Sequence, residues 1–186
     1  MSKFLIKKNR DILSRLSNMK RFNNSIHMHD ENVAEHSFYV ALYSMEICNI
    51  LRINGELRSV IIERALIHDV HEIELSDIPH DVKAKNSEIL DFCLKFEEDY
   101  NNKNFPKIMA RQDNLRHELD FIQNVVELAD IISVKQYSLQ ECEFGNRKKF
   151  LPILSDTEKR INKIINYLYS VVDAELVKEL ENNIKE

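Results

Sequence analysis

The chain has 186 residues, enough for one domain or for one domain with a helical appendage. Its 44% hydrophobic content excludes a disordered chain, and its two glycines and three prolines argue against tight-turned sheets and glycine-loop nucleotide folds, which leaves an all-α protein. The net charge is −5 and no long basic tract occurs, so a nucleic-acid backbone is not the expected partner, although a few local cations suffice for one nucleotide phosphate.

The first segment, Lys3 to Asn18, places Phe4, Leu5, Ile12, Leu13 and Leu16 at helical spacing. Charge breaks each apolar run of MSKFLIKKNRDIL, so no signal peptide is expected, and no apolar stretch reaches the roughly 20 residues of a membrane span. A soluble, cytoplasmic protein with no membrane partner follows as an expectation. Lys20 to Asn32, with Arg21, Phe22, His27 and His29, has no period and reads as a loop. Asn32 can cap the next helix, and Glu35 three residues on completes a capping box. That helix is apolar on most faces, which places it centrally, and Asn54-Gly55 is expected to end it.

A helix over about Leu57 to Ile73 and a loop from Glu74 to Pro79 come next. Ser87 to Tyr100 reads as an amphipathic helix, Asn101 to Asn104 as a polar turn, and Leu115 to about Leu139 as a helix with the apolar core FIQNVVELADIISV. Gly145 and Pro152 bracket a loop, and Ser155 with Glu158 suggests a second capping box opening a last long helix over 155–186. Cys48, Cys93 and Cys142 are odd in number and widely spaced, which fits apolar packing in a reducing compartment better than redox or thiolate-metal chemistry.

Three stretches carry polar groups where apolar ones are expected. His68-Asp69 sits inside ALIHDVHEI, and Glu72 lies three and four residues on, on the same helical face. A buried carboxylate beside an imidazole is costly unless both are paired or bind a metal. Taken alone, this stripe fits a solvated helix face better than a metal site, and His71 at its edge reads as surface polar. Asp130 stands among the apolar residues of VVELADIISV, where a divalent cation, an ion pair, or a face opening to solvent through Glu127 would each account for it. His36, in the first turn of the central helix, is by itself an ordinary core or surface histidine. Together the residues come from three helices, and the mix of imidazole and carboxylate suits Mn, Fe, Co, Ni or Zn better than Ca.

The order His36, His68-Asp69, Asp130 resembles the HD superfamily of metal-dependent phosphohydrolases. ENVAEHS (31–37), HDVHE (68–72), SDIP (76–79) with Val82-Lys83, ELAD (127–130) and the upstream Arg21-Phe22 are similar to the bacterial 5'-deoxynucleotidase branch and its eukaryotic relatives, over roughly residues 10 to 140. The resemblance implies one HD domain over 1–186, a bundle of about six to eight helices, and a nucleotide substrate, most simply a deoxynucleoside 5'-monophosphate. It implies that His36, His68, Asp69 and Asp130 bind one divalent transition metal, that Glu72 orients or deprotonates the attacking water, and that Arg21 holds the phosphate. It sets Phe22 and Asp77 near the sugar, with Asp77 part of the catalytic machinery, and gives Lys83 reach to a phosphate. Phe22 stands where this family usually has tryptophan, and Ser76 where it commonly has glycine.

Small relatives of the superfamily also release triphosphate from dNTPs, for which Lys83, Arg111 and Arg116 are candidate contacts, and others hydrolyse alarmones. A non-catalytic metal or nucleotide-binding module is a further alternative, against which the intact Glu72 argues, and a plain structural bundle would hold no metal. The resemblance also implies a homodimer or higher homo-oligomer. The stripe Ile161, Ile164, Ile165, Leu168 fits plain core better than an interface between subunits.

Overall fold

The structure, a computed structural model, describes residues 2–23, 25–76, 78 and 80–185, and at 2–9, 80, 81 and 84 the backbone alone. The chain runs through α1 (Ser2–Asn18), α2 (Val33–Ile50), α3 (Gly55–Ile67), α4 (Glu72–Leu75), α5 (His80–Lys85), α6 (Ser87–Asn104), α7 (Pro106–Asn114), a 3₁₀ turn (Arg116–Glu118), α8 (Leu119–Glu143), α9 (Arg147–Val171) and α10 (Ala174–Lys185). The all-α expectation holds. Among the described residues the only β-type pairing is an antiparallel bridge between Lys20 and Asn32.

α8 is the axis. Its Ile122, Val125, Leu128 and Ile131 are fully buried and pack against Val40 and Ile47 of α2, Val60 and Ile61 of α3, and the Ile161–Leu168 stripe of α9. Full burial of each such side chain contributes roughly 1.5–3 kcal/mol. The α9 stripe belongs to the chain's own core and is not available to a second subunit. Ile12 and Leu16 of α1 pack with Val33, Ile67, Val70 and Met109 in a second cluster, whereas Leu13 is exposed and the side chains of Phe4 and Leu5 lie outside those described. A third cluster, Tyr137, Cys142 and Phe150 with Phe22 against it, joins the ends of α8 and α9 to the 20–32 loop. Cys48, Cys93 and Cys142 are free and buried, as expected of packing residues.

Several boundaries differ from the sequence-based expectation. The capping box at Asn32 is present, with Glu35 N donating to Asn32 Oδ1 at 3.0 Å and Asn32 N to Glu35 Oε2 at 3.1 Å. α2 ends before Asn54-Gly55, because Arg52 (φ 55) takes the left-handed position and Ile53 N donates to Cys48 O at 2.8 Å, closing a Schellman motif whose neighbours Leu51 and Ile53 are buried. Gly55 (φ 64) instead opens α3. The helix expected to Ile73 stops at Ile67, and residues 68–71 turn before the short α4. Asn101–Asn104 continues α6, and Phe105 then hands over to Pro106 at the first position of α7, where a missing N–H costs nothing. At the end of α8, Gly145 (φ 99) closes a second Schellman turn, but α9 begins at once at Arg147, so Pro152, Ser155 and Glu158 lie inside a helix. Burial of Phe150, which is 0% exposed, anchors those first turns and overrides the local preference for a loop. The last helix is divided at Val172, and α10 folds back with Val177 and Leu180 buried against the core.

Candidate metal and phosphate site

Four elements bring polar groups to one place. α2 supplies His36, the turn after α3 supplies His68 and Asp69, α8 supplies Asp130, and the 20–32 loop supplies Arg21. His36 Nε2 lies 3.0 Å from Asp130 Oδ1, 3.3 Å from His68 Nε2 and 3.6 Å from Asp69 Oδ2. His68 Nε2 lies 3.2 Å from Asp69 Oδ2. His36, His68 and Asp130 each offer a ligand atom within 4.8 Å of the others. His68 Nδ1 is 2.7 Å from the Ala65 carbonyl, which can only accept, so Nδ1 carries a hydrogen and the ring is oriented with Nε2 towards His36 and Asp69. His36 Nδ1 meets Ser133 Oγ at 3.2 Å. This donor set of converging imidazole nitrogens and carboxylate oxygens fits a divalent transition metal and suits calcium poorly.

Burial, and after it the nearby Arg21 charge, push His36 down to about 4, so it is neutral at neutral pH. Burial opposes the Asp130 carboxylate, but the His36 hydrogen bond and the surrounding positive groups outweigh it and hold Asp130 at about 2. Asp69 is likewise kept well below the ordinary range, chiefly by His68 working against burial. Glu31, buried behind Arg21 and His36, is lifted to about 7 because burial outweighs the Arg21 attraction.

Arg21 donates from Nη1 to Asp69 Oδ2 at 3.0 Å, and its Nε lies 3.3 Å from Glu31 Oε1. Phe22, next to it, holds φ 55, a left-handed conformation rare for an aromatic residue. Arg21, Phe22, Asp69, Glu72, Lys83 and Asp130 line one cavity of about 600 Å³. Glu72 is buried in α4, so the sequence-predicted proton acceptor faces the same space as the metal candidates. His71 is also buried, with Nδ1 3.0 Å from the His68 carbonyl, and its role is to hold this turn rather than to meet solvent. Asp77 lies outside the described residues, and its neighbour Ser76 adopts φ 64, a conformation that favours glycine.

A further part of the lining was not read from the sequence. It comes from α9: Lys148, Lys149, Asp156, Thr157 and Arg160. Arg111 and Arg116 are elsewhere, Arg111 paired with Glu63 and Arg116 lying 3.7 Å from Asp113. Glu31 and Ser133 were also missed as partners of Arg21 and His36. Glu31 opens the ENVAEHS segment and Ser133 stands one helical turn after Asp130, and those positions were the available signals. A second cleft, of about 740 Å³ between α1, α4 and α6, contains none of these groups.

The family model described as 5'-deoxynucleotidase YfbR-like matches residues 10–180. The 4'-phosphooxetanocin A phosphatase of Priestia megaterium is 31% identical over 173 residues, covering 85% of this chain and 86% of that protein. The HD phosphohydrolase of cyanophage S-2L, solved with dA and one catalytic zinc ion, superposes with a TM-score of 0.67 at 17% identity over 94% of this chain and 93% of that one. An HD-domain phosphohydrolase of Listeria innocua gives a TM-score of 0.66 at 19% identity, over 97% and 98% of the two chains.

Proposed function

Because this chain belongs to the YfbR-like 5'-deoxynucleotidase family of HD phosphohydrolases, we propose that it hydrolyses deoxynucleoside 5'-monophosphates to deoxynucleoside and orthophosphate. The observation that carries this reading is the single cavity lined by Arg21, Phe22, Asp69, Glu72 and Asp130, with His36 packed against Asp130 at 3.0 Å and against His68 at 3.3 Å. A phosphate-binding fork, a set of metal ligands and a proton acceptor around one space of about 600 Å³ are the parts that monoester hydrolysis needs. The phosphatase activity named for the Priestia relative, and the dA and zinc of the cyanophage protein, support it.

In this reading His36, His68, Asp69 and Asp130 hold one divalent transition metal, with zinc, manganese, cobalt, iron and nickel all compatible with the ligands. Such an ion, when bound, lowers the pKa of water and draws charge from a phosphoryl oxygen. Arg21 exchanges its bond with Asp69 for two parallel bonds to the phosphate, which its planar fork suits. The Glu72 carboxylate takes a proton from the water that attacks phosphorus, the bond from phosphorus to the 5' oxygen breaks, and that oxygen leaves with the proton that Glu72 gives back. Phe22 flanks the sugar and Lys83 reaches the phosphate from α5; for Asp77, outside the described residues, the role beside the sugar and in the chemistry rests on the resemblance alone. The homo-oligomer implied by the resemblance would use a surface other than the α9 stripe, and light scattering reads its size. A nucleotide substrate fits a cytoplasmic place of action.

A second reading, release of triphosphate from a dNTP, is favoured by one observation: Lys148, Lys149 and Arg160, the last also bonded to Glu127, add cations to the cavity lining. Incubation of metal-supplemented protein with dAMP, AMP and dATP, with products identified by phosphorus NMR, separates the two. Orthophosphate from dAMP and not from AMP is expected. Orthophosphate from both removes sugar selection, and intact triphosphate from dATP with dAMP untouched replaces the first reading by the second.

A further inference from the structure

One face of α8 serves two places at once. Asp130, Ser133, Tyr137 and Glu141 recur at helical spacing along it. The first two meet His36, at 3.0 and 3.2 Å. The other two reach the loop that carries Arg21 and Phe22. Tyr137 Oη donates to the His29 carbonyl at 2.5 Å, and its ring stacks on Phe22 with centroids 4.6 Å apart and planes 3° from parallel. The Glu141 carboxylate accepts from Met28 N at 3.0 and 2.9 Å and from His29 N at 2.8 Å. Asn146 donates both to Glu141 Oε2, at 2.9 Å, and to the Ile26 carbonyl, at 2.7 Å.

Glu141 is 0% exposed. A buried carboxylate is costly unless its oxygens are filled by donors, and here two of the donors are main-chain amides of a segment more than a hundred residues away. The loop is pinched at its base by Arg21 N donating to Glu31 O at 2.9 Å and Val33 N donating to Met19 O at 2.9 Å. Between that base and the Glu141 tether, Phe22 is kept at φ 55, which persists only where the surroundings over-determine it.

We propose that Tyr137 and Glu141 are positioning residues, which hold the Arg21–Phe22 loop at a fixed place relative to the metal ligands on the same helix and so set how tightly substrate is gripped. The inference rests on the reading of Arg21 and Phe22 as substrate contacts. The face of α8 acts as a ruler between the metal end and the substrate end of the cavity.

The test uses the absence of tryptophan from the chain. F22W places a single indole in the loop, and acrylamide quenching reports how firmly it is held. Adding E141Q, which keeps the shape but removes the charge and leaves one acceptor oxygen for donors that now fill two, is expected to raise the quenching constant about twofold or more, with unchanged zinc stoichiometry and helix content. In the otherwise native chain, E141Q is expected to raise KM for dAMP about tenfold and leave kcat within about a factor of three, and Y137F to do the same more weakly. If E141A does not fold, E141Q and Y137F carry the comparison. Unchanged quenching in F22W/E141Q and in the matching F22W/Y137F overturns the tether, whether or not melting temperature falls. So does a shift in KM without a shift in quenching. If the native protein hydrolyses no nucleotide, the substrate reading fails, while the quenching comparison still decides the tether.

Discussion

Both ring nitrogens of His36 are engaged, Nε2 towards Asp130 and the neighbouring ligands and Nδ1 towards Ser133 Oγ. A partner on the second nitrogen fixes ring orientation, and its loss typically costs about 10–100-fold in metal affinity or activity. Ser133→Ala is therefore expected to weaken zinc binding by about tenfold, measured by competition with a chromophoric chelator, while the fold persists. Glu141 gives a prediction in pH. Burial opposes its charge, but the bonds from Asn146 and the Met28 and His29 amides outweigh burial and hold its pKa below the ordinary 4.5. A depressed carboxylate contributes stability above its unfolded pKa and loses it as pH falls through the folded one. The melting-temperature gap between the native chain and E141Q should thus be full above pH 4.5 and close below it. A gap that widens in acid would contradict the assignment.

At the scale of the helices, the junction of α8 and α9 supports the substrate end of the cavity. Phe150 is fully buried, sits edge-on to both Phe22 and Tyr137 at 5.8 Å, and closes the third cluster. Phe150→Ala is expected to cost about 3–5 kcal/mol in chemical denaturation, and to raise KM for dAMP because the stacked pair loses its backing. The same junction shows where local sequence misleads. Pro152, Ser155 and Glu158 look like a loop and a new helix start, but Phe150 and the apolar stripe beyond it bury only if one helix runs through. At Asn32 the capping signals are local and complete, and they are realised as read. At Arg52 a left-handed residue that is neither Gly nor Asn ends α2, a position that the sequence does not flag because neighbouring burial selects it.

For the molecule as a whole, the metal candidates join two long core helices to the turn after α3, so binding should stabilise the folded chain in proportion to ligand excess. At about 100 times Kd, linkage gives about 2.7 kcal/mol, or roughly 5–11 °C in melting temperature for a chain of this size. Scanning calorimetry with and without zinc should show this rise in the native chain and its loss in D130N. The residues of this cluster were legible because His36, His68-Asp69 and Asp130 keep a motif order, and the fold brings His36, His68 and Asp130 within ligand distance of one another. Their supports were not. Ser133 meets a histidine 97 positions away and Glu141 an amide 113 positions away, and nothing near a lone serine or glutamate in a helix announces such a partner. The cationic wall of α9 was hidden for the same reason, since lysines on an amphipathic helix look alike until the fold shows which face the cavity. The three thiols are buried, and burial raises the Cys48 thiol to about 11. The native chain should therefore react slowly with maleimides, and a single cysteine placed at Ile26, which is 86% exposed at the loop tip, would accept a dye or spin label without removing any native thiol first.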